Sequence, residues 1–471
     1  MYKSSEQEYV QLCFTGFNAT CGMQLDPENE WVKKTSVLPW HAWETLYAAM
    51  FNSTTGNVAK PCRMVLGSII IQTRMGYTDR ELVEQIQQNP YYQYFIGLDS
   101  FQHEAPFTAP LLVEWRKRMD VTFITNVNDV LCTAMPNMQE RKSGKNHGTL
   151  LATQICDATV APQYIRFPQD TSLLNEARVK LEGMIDFYCA EYGFDKPRTY
   201  RKKAHKEYLS FAKTKKPSAE KIREAVKKLL GYVRRDIGYI DSYMQQGYAP
   251  RAKQIENIIT IFALYEQQKY MYDNRTHKVE NRIVSISQPY VRPIVRGKAK
   301  QRTEFGAKLH LSIDGRGFGR IEHISFDAFN EGPQLIDALR SYQYRNGMFP
   351  ERVLVDQLYR TKRNIDFCAQ NDIRISGPKR GRPVTDAVQL RKERRVADKD
   401  NKDRIEIERF FSVAKRRNGM GMIKRKRQDT SLSTICMSVL VTNIFGSFQQ
   451  AIQEYEELQE KQAKRRKKRA S

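Results

Sequence analysis

The chain has 471 residues, 41% hydrophobic and 11% aromatic, enough apolar side chain for two or three folded domains and too much for a disordered polyelectrolyte. Its 77 Lys+Arg against 53 Asp+Glu leave a net charge of +24, which points to a polyanionic partner, nucleic acid being the usual one, with a basic but merely solvated surface as the alternative. Eight cysteines at 13, 21, 62, 132, 156, 189, 368 and 436 form no C-x-x-C pair, the opening MYKSSEQEYVQLCF is too polar for a signal peptide, and no apolar run approaches the roughly 20 residues of a bilayer span. These features argue against a structural zinc, secretion and a membrane, and predict a reduced, intracellular protein.

The charge is unevenly placed. Residues 1–150 hold 13 Lys+Arg and 15 Asp+Glu, a net of −2, so the basic surface belongs to the middle and C-terminal parts. From Pro39 the text (PWHAWETLYAAMF, then RMVLGSIIIQTRMGYTDRELVEQIQQNPYYQYFIGL) repeats apolar residues at helical spacing, with Thr78 or Asp79 as an N-cap and Pro90 as a stop. Trp40 and Trp43 read as core. A mostly helical first domain is expected over 1–145, ended by the polar linker ERKSGKNHG at 140–148.

Apolar and β-branched residues flank Asp157 in LLATQICDATVAPQYIRF, which predicts a strand bearing a carboxylate. The stretch from Asn175 to about Gln267 is helical, with Ser218 as an N-cap. Within it, Tyr200, Tyr208 and Phe211 interleave with the basic residues of 196–216; they either stack on bases or form the inward face of a helix. Strand character returns at Lys308 to Phe326 around a Gly315–Gly319 turn. A helix follows Gly332-Pro333, then the short strand Arg352 to Val355 ended by Asp356, a helix near 360–370, and a strand at Ile373 to Ile375. After the loop GPKRGRP (377–383) and a long charged segment comes a helix from Asp403 to Asn418, with Gly419 as its natural stop. The tail is helical around Ser431 to Glu460 and then basic, as either a DNA-binding arm or a frayed solubilising end.

On the helix from Asp403, Arg404, Glu408 and Lys415 fall at roughly 0°, 40° and 20°, one narrow stripe, beside an apolar face of Ile407, Phe410, Phe411 and Ala414. Alone, that is an ordinary amphipathic helix with an ion pair. With Asp157 in a strand and Asp356 at a strand end, it becomes a trio of hard oxygen ligands suited to Mg²⁺, and two such ions about 4 Å apart serve phosphoryl transfer. Competing acids read otherwise: Asp170 as an N-cap, Asp314 as a hairpin residue, Asp366 as solvated, and Glu406 as facing about 200° away from Glu408. His147 and His310 have no metal partners in the pattern and read as structural or solvated.

The chain resembles bacterial insertion-sequence transposases of the DDE class. The resemblance is carried by LPWHAWETLYAAMF, IQQNPYYQYFIGL, VEWRKRM, CDATVAPQYIRFPQDTSLLNEAR, RPIVRGK, EFGAKLHLS, VLVDQLYRTKRN, SGPKRGRP and RIEIERFFSVAKRRNGMGMI. The family signature of Tyr, two residues, Arg, three residues, Glu, six residues, Lys is met by Arg404, Glu408 and Lys415, while Asn401 stands at the Tyr position. The resemblance implies an α/β fold with an RNase H-like core, a mixed sheet with flanking helices over 146–170 and 300–425. A helical insertion (171–299) would separate the first and second strands, and 426–471 would form a C-terminal helix and tail. It further implies Asp157, Asp356 and Glu408 as catalytic and metal-binding residues, Mg²⁺ as cofactor (two ions, Mn²⁺ as a substitute), and double-stranded DNA as substrate. Arg404, Lys415, Arg380, Arg382, Arg416 and Arg417 are the expected DNA contacts, within the basic stretches 198–216, 292–302, 379–395 and 416–427. A homodimer or larger synaptic assembly, in a cytoplasmic, nucleoid-associated setting, goes with that reading. A catalytically silent DNA-binding derivative and a site-specific nuclease of the same fold remain the alternatives.

Overall fold

The computed structural model describes residues 25–51, 57–134, 152–295, 303–377 and 386–448. Seven helices open the chain: α1 (Glu30–Val37), α2 (Trp40–Ala48), α3 (Cys62–Met75), α4 (Asp79–Gln88), α5 (Pro90–Phe95), α6 (Leu111–Arg118) and α7 (Val121–Thr133). Their starts follow the local chemistry. Thr78 and Glu81 form a reciprocal capping box on α4, and Asn89 caps α5 with Pro90 in its first turn. Trp31, Trp40, Trp43, Tyr92 and Phe95 pack in this unit, and the Trp43 indole N–H donates to Val127 O. Both tryptophans near Pro39 are core, as read from the sequence.

Strand β1 (Thr153–Pro162) begins the second part. Four helices follow, α8 (Asp170–Tyr192), α9 (Arg201–Ala212), α10 (Ala219–Gln245) and α11 (Ala252–Asp273); the apolar faces of α8, α10 and α11 make a core of their own. Asp170 does not cap α8, whose cap is Gln169. Instead its Oδ1 accepts from Arg282 Nη2 at 2.9 Å and Gln268 Nε2 at 3.1 Å, drawing the end of the insertion back to its beginning.

The chain then returns to the sheet with β2 (Arg292–Val295), β3 (Thr303–Asp314) and β4 (Gly319–Ser325). β2 is a strand within a span expected to be helical. β3 lies antiparallel to β1 on one side and pairs with β2 and β4 in succession on the other. Asp314 builds the β3–β4 turn: its Oδ1 accepts from the backbone N–H groups of Arg316 and Phe318, and Gly317 supplies the left-handed φ of 88°. Helix α12 (Leu335–Asn346), β5 (Arg352–Leu354), α13 (Lys362–Gln370) and β6 (Arg374–Ile375) follow, with β5 parallel to β1 and β6 parallel to β5. The result is a mixed sheet with helices on both faces.

Helix α14 runs from Ala387 to Arg417, far longer than the span expected from Asp403, because the charged segment before Asp403 continues the same helix. Helix α15 (Gln428–Phe445) is buried on nearly every side, between the N-terminal helices and the sheet. Its hydroxyls at Ser433, Thr434, Ser438 and Thr442 donate back to carbonyls one turn earlier, which makes burying them tolerable. Asn443 joins three parts of the chain: its Nδ2 donates to Gly319 O (2.8 Å) and Asn128 Oδ1 (2.7 Å), and its Oδ1 accepts from Gly319 N (2.8 Å). Asn443→Ala leaves the buried Gly319 N–H and Asn128 Oδ1 without this partner, Gly319 O keeping the Asn128 Nδ2 donor, and is expected to lower unfolding free energy by about 2 kcal/mol in urea titration.

Candidate active site

Strand alternation decides which way each acid points. Ile155 and Leu354 belong to the core formed with Ile407, Phe410, Phe411 and Ala414 of α14, whereas Cys156, Val353 and Val355 belong to the core on the opposite face with Leu335 and Leu339 of α12. Asp157 therefore shares the α14 face with Ile155, and Asp356 shares it with Leu354. β1 and β5 pair Ile155 with Leu354, the last pair of their parallel ladder, and Asp157 and Asp356 each follow two residues further along their own segments.

Each is held locally. Asp157 Oδ1 accepts from Ala158 N at 2.7 Å, and Asp356 Oδ1 accepts from Leu358 N at 2.8 Å, capping the single turn Gln357–Tyr359. From α14, Arg404 reaches between the acids: Nη1 lies 4.0 Å from Asp157 Oδ2 and Nη2 lies 3.5 Å from Glu408 Oε1. Glu408 is 56% exposed and Asp157 21%. Lys415 Nζ donates to Thr159 Oγ1 at 2.9 Å, two residues along the same face of β1. These contacts bring Asp157, Arg404 and Glu408 together, with Lys415 beside them on Thr159, while Asp356 is held by its own turn after β5. Among the described residues, no three His, Cys, Asp or Glu side chains converge as a ready metal cage.

The remaining expected contacts divide. Arg416 and Arg417 are exposed at the end of α14. Arg380, Arg382 and His147 lie outside the described residues. Arg425, in the expected basic stretch after α14, is instead committed to the N-terminal unit, with Nη2 3.3 Å from Gln72 Oε1 and 3.6 Å from Asp79 Oδ1. Tyr200 lies beneath the Arg198 and Arg235 guanidinium groups, while Tyr208 and Phe211 are half-buried in a crevice of about 440 Å³ between α9 and α10. Glu406 pairs with Arg409.

Two features escaped the sequence. The first is an ion cluster at the root of α14. Arg352 donates Nε to Thr153 Oγ1 (2.7 Å), Nη1 to Asp400 (3.1 Å) and Nη2 to Asp403 (2.7 Å), while Arg374 donates to both Asp400 oxygens (2.6 and 2.8 Å). An arginine opening an apolar strand needs a counter-charge, and that was the available signal. Nothing distinguishes Asp400 among the surrounding charges. The second is the layer beneath the acids. His310 pairs with Ala158 across the sheet and packs near Tyr359, with ring centroids 5.5 Å apart. Burial keeps the Tyr359 phenol protonated, reinforced by the charges of Cys156, Asp157, Glu331 and Asp356. Burial, with lesser effects of His323 and Lys308, pushes His310 down to about 3.

Set on this geometry, the comparisons are informative. Residues 353–445 match a family described as a transposase DDE domain, and residues 20–118 match one described as a transposase domain (DUF772). The first span contains Asp356 and Glu408 but not Asp157. The chain is also similar to an uncharacterised protein, ORF8 of the nfe locus of Rhizobium meliloti: 27% identity over 187 residues, 38% of this chain and 82% of that protein. No solved structure matches. Both matched spans carry the description of transposase domains, which supports a transposase function. Together the findings support an insertion-sequence transposase of the DDE type, the family that the sequence motifs resemble. Such a family implies a nuclease acting on DNA. No described helix is long and apolar enough to cross a membrane.

Two measurements test the supports of this site. Asp400→Ala leaves Arg352 and Arg374 facing each other and is expected to cost about 3 kcal/mol of unfolding free energy. His310 has a depressed folded-state pKa, so its neutral form favours folding fully above the unfolded value near 6.5, and that stability is lost as pH falls toward 3. Wild-type protein is therefore expected to lose on the order of 2 kcal/mol more than His310→Leu between pH 7 and pH 5 in parallel denaturant titrations.

Proposed function

We propose that the chain cuts DNA at the ends of a mobile element and joins the freed 3′-hydroxyl to target DNA, through an RNase H-like core bearing Asp157, Asp356 and Glu408. The observation that supports the reading is the Arg404 guanidinium of α14 lying between Asp157 and Glu408, above the face where β1 and β5 pair Ile155 with Leu354. The strand order β4-β3-β1-β5-β6, with the first three strands antiparallel and the last two parallel to β1, supports an RNase H-like core into which β2 and four helices are inserted.

The donor set fits Mg²⁺, or Mn²⁺ in its place. All three side chains offer hard oxygens, and a cation, the Arg404 guanidinium, already rests against two of them. Asp157, Asp356 and Glu408 would hold two ions, which when bound supply a Lewis acid and an activated oxygen nucleophile. The chain's own part is orientation. Asp157 and Asp356 are presented by a rigid sheet and fastened by backbone N–H groups. The exposed Glu408 carboxylate can close on them from a helix whose root is fixed by Arg352. Lys415, steadied by Thr159, and Arg404, Arg416 and Arg417 present cations to phosphates beside the cut, and Arg380 and Arg382, outside the described residues, would add to them. The nearly neutral N-terminal helices, packed on α15, suit end recognition or the pairing of protomers in a dimer or larger synaptic assembly.

Asp157→Ala and Glu408→Ala are expected to abolish Mg²⁺-dependent cleavage of DNA carrying the element's ends while leaving thermal unfolding near wild type. Full cleavage by either variant sinks the assignment. Binding of the same DNA should weaken steeply with salt, the slope reporting how many phosphates are neutralised. A strand-transfer assay separates a transposase from a nuclease of the same fold.

A further inference from the structure

Arg404 occupies a place that a phosphate-binding arginine has no need to occupy. Its guanidinium is only 29% exposed, and it bridges an acid on the sheet to an acid on its own helix, at 4.0 Å from Asp157 and 3.5 Å from Glu408. Helix α14 is fastened at Asp400, one turn before Arg404, and at the adjacent Asp403, so the guanidinium is presented to these acids from a fixed backbone. A second cation stands further along the same helix, where Lys415 donates to the Thr159 hydroxyl.

Resting on the metal-site reading above, we propose that Arg404 is a resident cation that holds the carboxylate site in the absence of divalent ions and is exchanged for them. The Asp157 and Glu408 oxygens that face the guanidinium are the same oxygens a divalent ion needs. A cation of charge two cannot settle there with a guanidinium at 4 Å without strong repulsion, so the arginine side chain turns away as the ion enters. It turns from a partly open surface where a DNA phosphate would lie, and its planar fork suits that anion. Metal binding and phosphate binding are thereby coupled through one side chain. Each must strengthen the other by the same factor, because linkage is reciprocal.

The test is Mn²⁺ binding to the full-length protein without DNA, followed by electron paramagnetic resonance of the free ion, and repeated with a random-sequence duplex whose own Mn²⁺ uptake is subtracted. Arg404→Gln and Arg404→Met are expected to bind Mn²⁺ about tenfold more tightly than wild type in the absence of DNA, a factor discounted for partial exposure. Arg404→Lys, which keeps a cation on a long stem, should stay near wild type. The duplex should tighten Mn²⁺ binding in wild type and have much less effect in Arg404→Gln. Unchanged or weaker Mn²⁺ binding by both neutral variants, each folded by circular dichroism, overturns the exchange. Asp157→Asn distinguishes this from a failure of the underlying reading. If Asp157→Asn removes Mn²⁺ binding and the Arg404 variants do nothing, only the exchange is wrong; if it binds Mn²⁺ like wild type, the metal site itself is misplaced and both proposals fall.

Discussion

The Arg352 guanidinium, donating to Thr153 on β1 and to Asp400 and Asp403 on α14, ties the parallel strand pair to the long helix at one corner. Arg374 of β6 closes on the same Asp400, so three strands and one helix share a single buried carboxylate. Breaking one partner of such a cluster leaves uncompensated buried charge, which makes it a strong constraint on geometry even where its net contribution to stability is modest. Asp400 lies two helical turns before Glu408, so the Arg352 and Arg374 contacts fix the rotation of α14 about its axis. That rotation brings Arg404 and Glu408 to the side where Asp157 and Asp356 face out.

The far end of the same helix is held by different means. Ile407, Phe410, Phe411 and Ala414 pack on the sheet, and Phe410 lies so close over Gly319 that a methyl group there would overlap its ring. Gly319 is also the residue whose backbone meets Asn443 and Asn128. A contact that seats the candidate catalytic helix is therefore continuous with one that docks the N-terminal helices. Helix α15, from near the C-terminal end of the chain, fills the space between these two regions. The N-terminal helices and α15 share one core, in which Cys436, Leu440 and Ile444 pack with residues of α2, α3 and α7.

Much of this was legible beforehand. The helix N-cap at Thr78 or Asp79, the strand around Asp157, the Asp314 turn and the apolar stripe of α14 all rest on local rules of spacing and capping, and the structure has each of them, with Thr78 as the cap. Glu408 stood out because its stripe and the adjoining core face lie within one helix. Asp356 was marked by the strand end before it. Asp157 had only a β-branched neighbourhood and the family resemblance, because no local pattern says which of many acids in a 471-residue chain will meet an acid 199 positions away. The misreadings share a cause. The charged first half of α14 has too few apolar positions for periodicity to show, and Asp170 and Arg425 are committed to partners far away in sequence.

What the sequence by itself determined is the inventory: a strongly basic chain, the order of strands and helices, the stripe of Arg404, Glu408 and Lys415, and an insertion that had to leave the sheet and return. These follow from local periodicity and composition, which neighbouring residues carry. What only the tertiary structure decided is their meeting. The register of β5 on β1 pairs Ile155 with Leu354, the Arg352 cluster fixes α14 against these strands, and Arg404 comes to rest between Asp157 and Glu408. The register is settled by pairs such as Ile155 and Leu354, about 200 positions apart, and the helix rotation by Arg352 and Arg374 meeting Asp400 48 and 26 positions away, beyond the reach of helical or strand periodicity.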